Sequence, residues 1–256
     1  MAEAIIAGLI NKEAVDSNAI VVSEKQQPRR SYLTDKFALS CIDDNKQAVG
    51  CSDITILAVK PQTFAQVAQE IGTVGADKLV ISILAGTKTE KIQHALGDAR
   101  IVRVMPNTPA LVGEGMTGIS GSTTSTDDDI KITEYIFNQL GKSITVEESM
   151  LDLITGVSGS GPAYVFYLVE SLRDAAVSMG LDKDKACLLA NQTFNGAVKL
   201  LVESAQDPAE LRRKVTSKGG TTEQGILVME YNNIKKIIAD TVKAATEKSR
   251  ELSKNV

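Results

Sequence analysis

Hydrophobic periodicity changes character once along this chain, and that change restricts the fold more than any other feature. Through the first half, short β-branched runs alternate with helical patterns, and Ala19–Val22, Ile54–Val59, Leu79–Ile83 and Ile101–Met105 read as strands. Such runs suit a parallel sheet covered on both faces. Residues 120–129 are polar and turn-rich, and Thr126 with Asp129 signals the N-cap of an amphipathic helix over Ile130–Leu140. A short strand, Ser143–Val146, closes this part of the chain. From Met150 onward no strand pattern returns: Pro162–Met179, Lys183–Ser204, Pro208–Val215, Thr222–Tyr231 and Ile234–Leu252 all read as helices. Pro162 and Gly180 sit where a helix start and a helix end favour them.

The expected fold is therefore α/β: a Rossmann-like doubly wound parallel sheet over residues 1–148, followed by an all-helical domain over residues 149–256. The long helices have apolar stripes and no sheet of their own to cover, so a homodimer or higher homo-oligomer is expected to bury them. A net charge of -4 and an aromatic content of 4% without Trp leave no footprint for nucleic acid. No apolar run approaches the roughly 20 residues that span a bilayer, and Met1–Ile6 lacks the basic start of a signal peptide. These readings give a cytoplasmic protein without a membrane partner. Cys41, Cys51 and Cys187 show no CxxC spacing and read as packing residues. The only histidine, His94, lies in the helical pattern Lys88–Leu96 as a solvated residue, so neither a metal site nor a histidine triad is expected.

Two features bear on ligands. A doubly wound fold that binds a dinucleotide opens with a strand, a glycine-rich turn and a helix. Here Met1–Leu9 is already helical, and the first clear strand begins at Ala19, so the chain reads as shortened by one strand and one loop, through a misassigned start or a fragment. The second feature lies in Val215–Gly225, where Gly219 and Gly220 let the backbone turn with positive φ and aim successive N–H groups into one small space. Thr221 and Gln224 have capping-box spacing, which starts a new helix there with its unpaired N–H groups and positive dipole end on the same space. A carboxylate suits such a place.

The stretch Val157-Ser158-Gly159-Ser160-Gly161-Pro162-Ala163-Tyr164, with Asp207–Leu211 and Val215–Gly225, resembles pyrroline-5-carboxylate reductase, the last enzyme of proline synthesis. Ala58-Val59-Lys60-Pro61 and Met105-Pro106-Asn107-Thr108-Pro109-Ala110 resemble that family's cofactor-domain motifs, and the likeness runs from Met1 to about Leu252. In the family, Met1 would directly follow a Gly-x-Gly-Asn turn. The resemblance implies hydride transfer from NADPH or NADH to the imine carbon of a small cyclic imino acid. It implies that Gly219, Gly220, Thr221 and Thr222 hold the substrate carboxylate, that Thr222 is the residue closest to the chemistry, and that Ser160 lines the pocket. For the cofactor it implies Asn45, Ala58, Val59, Lys60, Pro61, Leu84 and Ala85.

Two departures matter. The proline that precedes the paired glycines in the family is Lys218 here, which loosens the turn but leaves its amides available. After the second strand, Ser23 is followed by Glu24, which would repel a ribose phosphate, whereas Lys25, Arg29 and Arg30 pull the other way. Two other readings stay open at this stage. A two-domain dehydrogenase of 3-hydroxy acids would place a catalytic lysine shortly after a Gly-Ser-Gly turn, and Pro162–Val169 contains none. A non-catalytic, truncated reductase homologue would keep the helical domain and lose the cofactor.

Overall fold

The computed structural model describes residues 1–254, which divide into two units: residues 1–160 with the chain from 243 onward, and residues 161–242. In the first unit the order is α1 (Ala2–Asn11), β1 (Val21–Ser23), α2 (Gln27–Phe37), β2 (Ser40–Ile42), α3 (Asn45–Gly50), β3 (Ile54–Leu57) and α4 (Phe64–Ile71). There follow β4 (Leu79–Ser82), α5 (Thr89–Leu96), β5 (Arg100–Met105), β6 (Gly115–Gly121), α6 (Asp127–Asn138), β7 (Gly141–Thr145) and α7 (Leu151–Ile154). Five strands form one sheet in the order β3-β4-β5-β6-β7, and β1 pairs with β2 in a separate parallel pair.

Strand alternation explains why the sheet is covered twice. Leu79 and Ile81 of β4 and Val102 and Val104 of β5 point to one face, where they pack with Ile5 and Leu9 of α1 and Ile136 and Phe137 of α6. Val80 and Ile101, one residue out of phase, point to the other face and pack with Phe64 and Ala68 of α4 and Ile92 and Leu96 of α5. Every residue of β4 is buried, so the reading of a doubly wound, mainly parallel sheet holds in the structure.

The exception is β6, which runs antiparallel to β5 and parallel to β7. Sequence patterning missed it because Gly115, Gly118 and Gly121 weaken strand propensity at three of its seven positions. Packing supplies the missing preference: at Gly118 a Cβ would lie 2.9 Å from Ile154 Cγ2 and 3.1 Å from Leu151 Cδ2, so α7 occupies that space. At the start of β7, Gly141 has φ 147, and a Cβ there would run into the backbone of Gly115 on the paired strand. The helix signal at Thr126 and Asp129 is realised as a capping box: Asp129 N–H donates to Thr126 Oγ1 at 3.2 Å and Thr126 N–H to Asp129 Oδ2 at 2.8 Å.

The second unit comprises α8 (Gly161–Ser178), α9 (Lys183–Ser204), α10 (Pro208–Lys214), α11 (Thr221–Tyr231) and the first part of α12 (Ile234–Lys254). Within it only Ala186 and Ala190 are buried among the described residues. Phe166, Tyr167, Leu188, Val198 and Val228 are all exposed, so this unit has almost no core of its own. No described helix is long and apolar enough to cross a membrane.

Candidate active site

The paired-glycine corner of the second unit differs in detail from its sequence reading. The N-cap of α11 is Gly220, not Thr221, and no side chain caps it, so the expected Thr221–Gln224 capping box does not form. The reason is Gly219: its φ of +74 completes the turn one residue early, and the helix is already under way at Thr221. Gly220 N–H donates to Ser217 C=O at 3.0 Å, and Gly219 N–H donates to Glu223 Oε2 at 2.7 Å. Thr221, Thr222 and Glu223 carry the first amides of the helix, which have no hydrogen-bond partner among the described residues. Thr222 is exposed, and its hydroxyl is equally unpartnered. The corner therefore offers three convergent donors and the positive end of an 11-residue helix.

Ser160 belongs to the first unit and comes directly after a single π-helical turn, Thr155–Gly159. Ser160 N–H closes that turn onto Thr155 C=O at 2.8 Å. Such turns insert one extra residue into a helix and re-aim the side chains beyond it. Ser160 Oγ has no hydrogen-bond partner among the described residues. One residue that sequence reading did not single out for the site is tied to this turn: Asn107 Nδ2 donates to Ser158 C=O at 2.9 Å, while its Oδ1 accepts the Met116 N–H at 2.9 Å.

The residues expected at the cofactor lie beyond the carboxyl ends of strands in the first unit, the place where open α/β sheets collect ligands. Ala58, Val59 and Lys60 are exposed directly after β3, and Pro61 opens the short 3-10 turn Pro61–Thr63. After β4, Ala85 is exposed, whereas Leu84 is 1% exposed as a whole residue and packs in the core, so of the two only Ala85 presents open surface. Asn45 is the first residue of α3, whose cap is Asp44. Its Oδ1 accepts from Ser23 Oγ at 2.7 Å and its Nδ2 donates to Glu70 Oε2 at 2.7 Å. Lys25, 2.9 Å from Glu70, together with Asn45 holds the Glu70 carboxyl below the ordinary carboxylate range.

The charges near Ser23 are internally matched. Glu24 Oε1 accepts the Gln26 N–H at the start of α2. Arg29 pairs with Glu3, and Arg30 donates to the carbonyls of Glu24 and Lys25 and approaches Asp43 at 3.5 Å. His94 is exposed on α5, as read from the sequence. Cys51 is exposed rather than packed, and Cys41 and Cys187 are half-buried. No group of three metal-ligating side chains occurs among the described residues. The helix α8 carries no lysine, so the residue that hydroxy-acid chemistry would need is absent from it.

Residues 148–252 match the family described as pyrroline-5-carboxylate reductase dimerisation, and residues 1–86 match NADP oxidoreductase coenzyme F420-dependent. A pyrroline-5-carboxylate reductase of Synechocystis sp. is 41% identical over 254 residues, covering 99% of this chain and 95% of the relative. The structure of a pyrroline-5-carboxylate reductase from Coxiella burnetii superposes with a TM-score of 0.91 at 37% identity, covering 98% of this chain and 94% of that one. A Plasmodium falciparum pyrroline carboxylate reductase with NADP bound superposes with a TM-score of 0.86 at 31% identity, covering 98% of this chain and 94% of that one.

Proposed function

The chain belongs to the pyrroline-5-carboxylate reductase family, and from that premise we propose that it reduces the imine carbon of 1-pyrroline-5-carboxylate to give L-proline, using NADPH or NADH. The alternative of 3-hydroxy-acid oxidation is not favoured, because the full-length relatives bear the reductase name and α8 lacks a lysine. The structural observation that carries the reading is the start of α11, where the free amides of Thr221, Thr222 and Glu223 fit a small carboxylate.

In this reading Thr221 and Thr222 hold the substrate carboxylate through their amides, and Gly219 and Gly220 shape the turn that presents them. The Thr222 hydroxyl bonds the ring nitrogen or the carboxylate and orients the imine. Ser160, with its free Oγ, lines the substrate's surroundings. A protonated imine is already electrophilic, so the protein needs no strong general base. That need agrees with a chain whose single histidine is exposed on α5. Asn45, Ala58, Val59, Lys60, Pro61, Leu84 and Ala85 would hold the dinucleotide, and the exposure of Ala58, Val59, Lys60 and Ala85 is compatible with its close approach. Bound reduced nicotinamide supplies the hydride.

Residues 1–148 serve as the cofactor domain and residues 149–256 as the substrate and dimerisation domain of a homodimer or higher homo-oligomer working in the cytoplasm. The exposed apolar helices of residues 161–242 support that assembly. The test is direct: purified protein should oxidise NADPH or NADH only when pyrroline-5-carboxylate is added. A folded protein that leaves both cofactors reduced overturns the reading.

A further inference from the structure

A hydrogen-bonding side chain that the reaction itself does not call for links the sheet of the first unit to the turn that ends in Ser160. Asn107 comes shortly after β5 and occupies the N-cap of the 3-10 turn Thr108–Val112, yet its side chain makes no cap bond. An asparagine at that position ordinarily bonds its own helix start. Here the amide reaches residues far along the chain instead. Its Oδ1 accepts the Met116 N–H at the start of β6, and its Nδ2 donates to Ser158 C=O, 51 residues away. The residue is 8% exposed and both bonds are partly buried, so losing either would leave a half-buried backbone group without its protein partner.

The sequence explains why Ser158 C=O needs an outside donor. In a regular helix that carbonyl would accept the amide of residue 162, four positions on. Residue 162 is Pro and has no N–H to give. Asn107 therefore supplies what Pro162 lacks, and it does so from the rigid end of the sheet. The same turn touches β5 a second way, since a Cβ on Gly159 would come within 3.0 Å of Met105 Cε. The π-helical turn is thus held at Ser158 by a side chain and at Gly159 by close packing, immediately before Ser160.

We propose that Asn107 is a positioning residue of this enzyme: through the Ser158 carbonyl it fixes the turn that aims Ser160 at the imino acid. The role rests on the reductase reading, and it concerns the substrate rather than the dinucleotide.

Two variants test it alongside the wild type. Asn107→Asp keeps an acceptor for the Met116 N–H and loses the donor to Ser158, whereas Asn107→Leu loses both. Each is assayed for KM and kcat with pyrroline-5-carboxylate, for dissociation of reduced cofactor by its fluorescence, and for thermal midpoint. Both variants should raise the KM for the imino acid about tenfold while cofactor dissociation stays within about twofold of wild type. An unchanged imino-acid KM in either folded variant overturns the role, as does a parallel rise in KM and cofactor dissociation. Should Asn107→Leu fail to fold, Asn107→Asp alone decides by the same criterion. A wild type without turnover overturns the reductase reading and this role with it, whereas an active wild type with unaffected variants overturns the role alone.

Discussion

At the scale of single residues, the proposed site rests on backbone donors more than on ionisable side chains. Gly219 was legible in the sequence because glycine takes its φ of +74 without strain, whereas the positive φ expected at Gly220 is absent: that residue is extended at φ -84, and what keeps it small is Ser217, whose carbonyl oxygen a Cβ would meet at 3.0 Å. The cap was misread: the spacing of Thr221 and Gln224 pointed to Thr221, and the turn geometry placed the cap one residue earlier, at Gly220. Asn107 stands in the motif Met105–Ala110, yet its bond to Ser158 spans 51 residues and leaves no local pattern. Thr222 carries the sharpest expectation at this scale. Thr222→Val removes the hydroxyl at nearly constant volume and leaves the amide in place, so kcat/KM should fall by about 10²-fold with the thermal midpoint almost unmoved. Steady-state kinetics on the folded variant checks this, and unchanged efficiency would remove Thr222 from the chemistry.

At the scale of elements, much of the unit formed by residues 1–160 was readable from apolar runs, and the misses share a cause. β2 is three residues long and β6 is nearly half glycine, so neither carries enough side chain to announce itself. Their positions are fixed by neighbours, β6 by α7 and β2 by pairing with β1. Polar contacts between elements were similarly hidden. Glu148 lies 59 residues from Thr89 at the start of α5 yet accepts both its N–H and its hydroxyl, and it pairs with buried Arg103 at 3.1 Å. Glu3 ties α1 to α2 by bonding Lys36, Arg29 and Tyr32, and these partners lower its pKa from 4.5 to about 2. A carboxyl depressed on folding stabilises the protein fully above its unfolded value of 4.5, and that contribution is lost as pH falls from there towards 2. Because Lys36, Arg29 and Glu3 all remain partly open to solvent, the contribution is about 1 kcal/mol rather than the full value of the shift. Glu3→Gln should therefore lower stability near neutral pH and lose less of it between 4.5 and 2 than the wild type does, as denaturant titrations at stepped pH will show.

At the scale of the whole molecule, the change of periodicity near residue 150 anticipated an α/β part followed by a helical one, and this mixed architecture is what the structure displays. Contacts divide the chain by a different criterion, since α12 runs from the second unit into residues assigned to the first. Long helices advertise their faces but not what covers them, so the sequence supported an oligomer without identifying its contacts. The helical unit buries only Ala186 and Ala190 among the described residues, which is too little for an independent core of this size. We therefore expect sedimentation velocity to give a dimer or larger assembly at micromolar concentration, and Phe166→Glu or Val228→Glu on the exposed helices to weaken it. A folded, active monomer at that concentration would contradict this assembly.

The central claim is that this chain delivers a hydride to the carbon of a cyclic imine, and isotope transfer tests it most directly. NADPH or NADH deuterated at the transferable position is incubated with pyrroline-5-carboxylate and the protein, and the product is analysed by mass spectrometry. The account predicts proline carrying a single deuterium on the ring carbon that had been the imine carbon, formed only in the presence of the protein. A correctly folded protein that yields no labelled proline from either cofactor would contradict it.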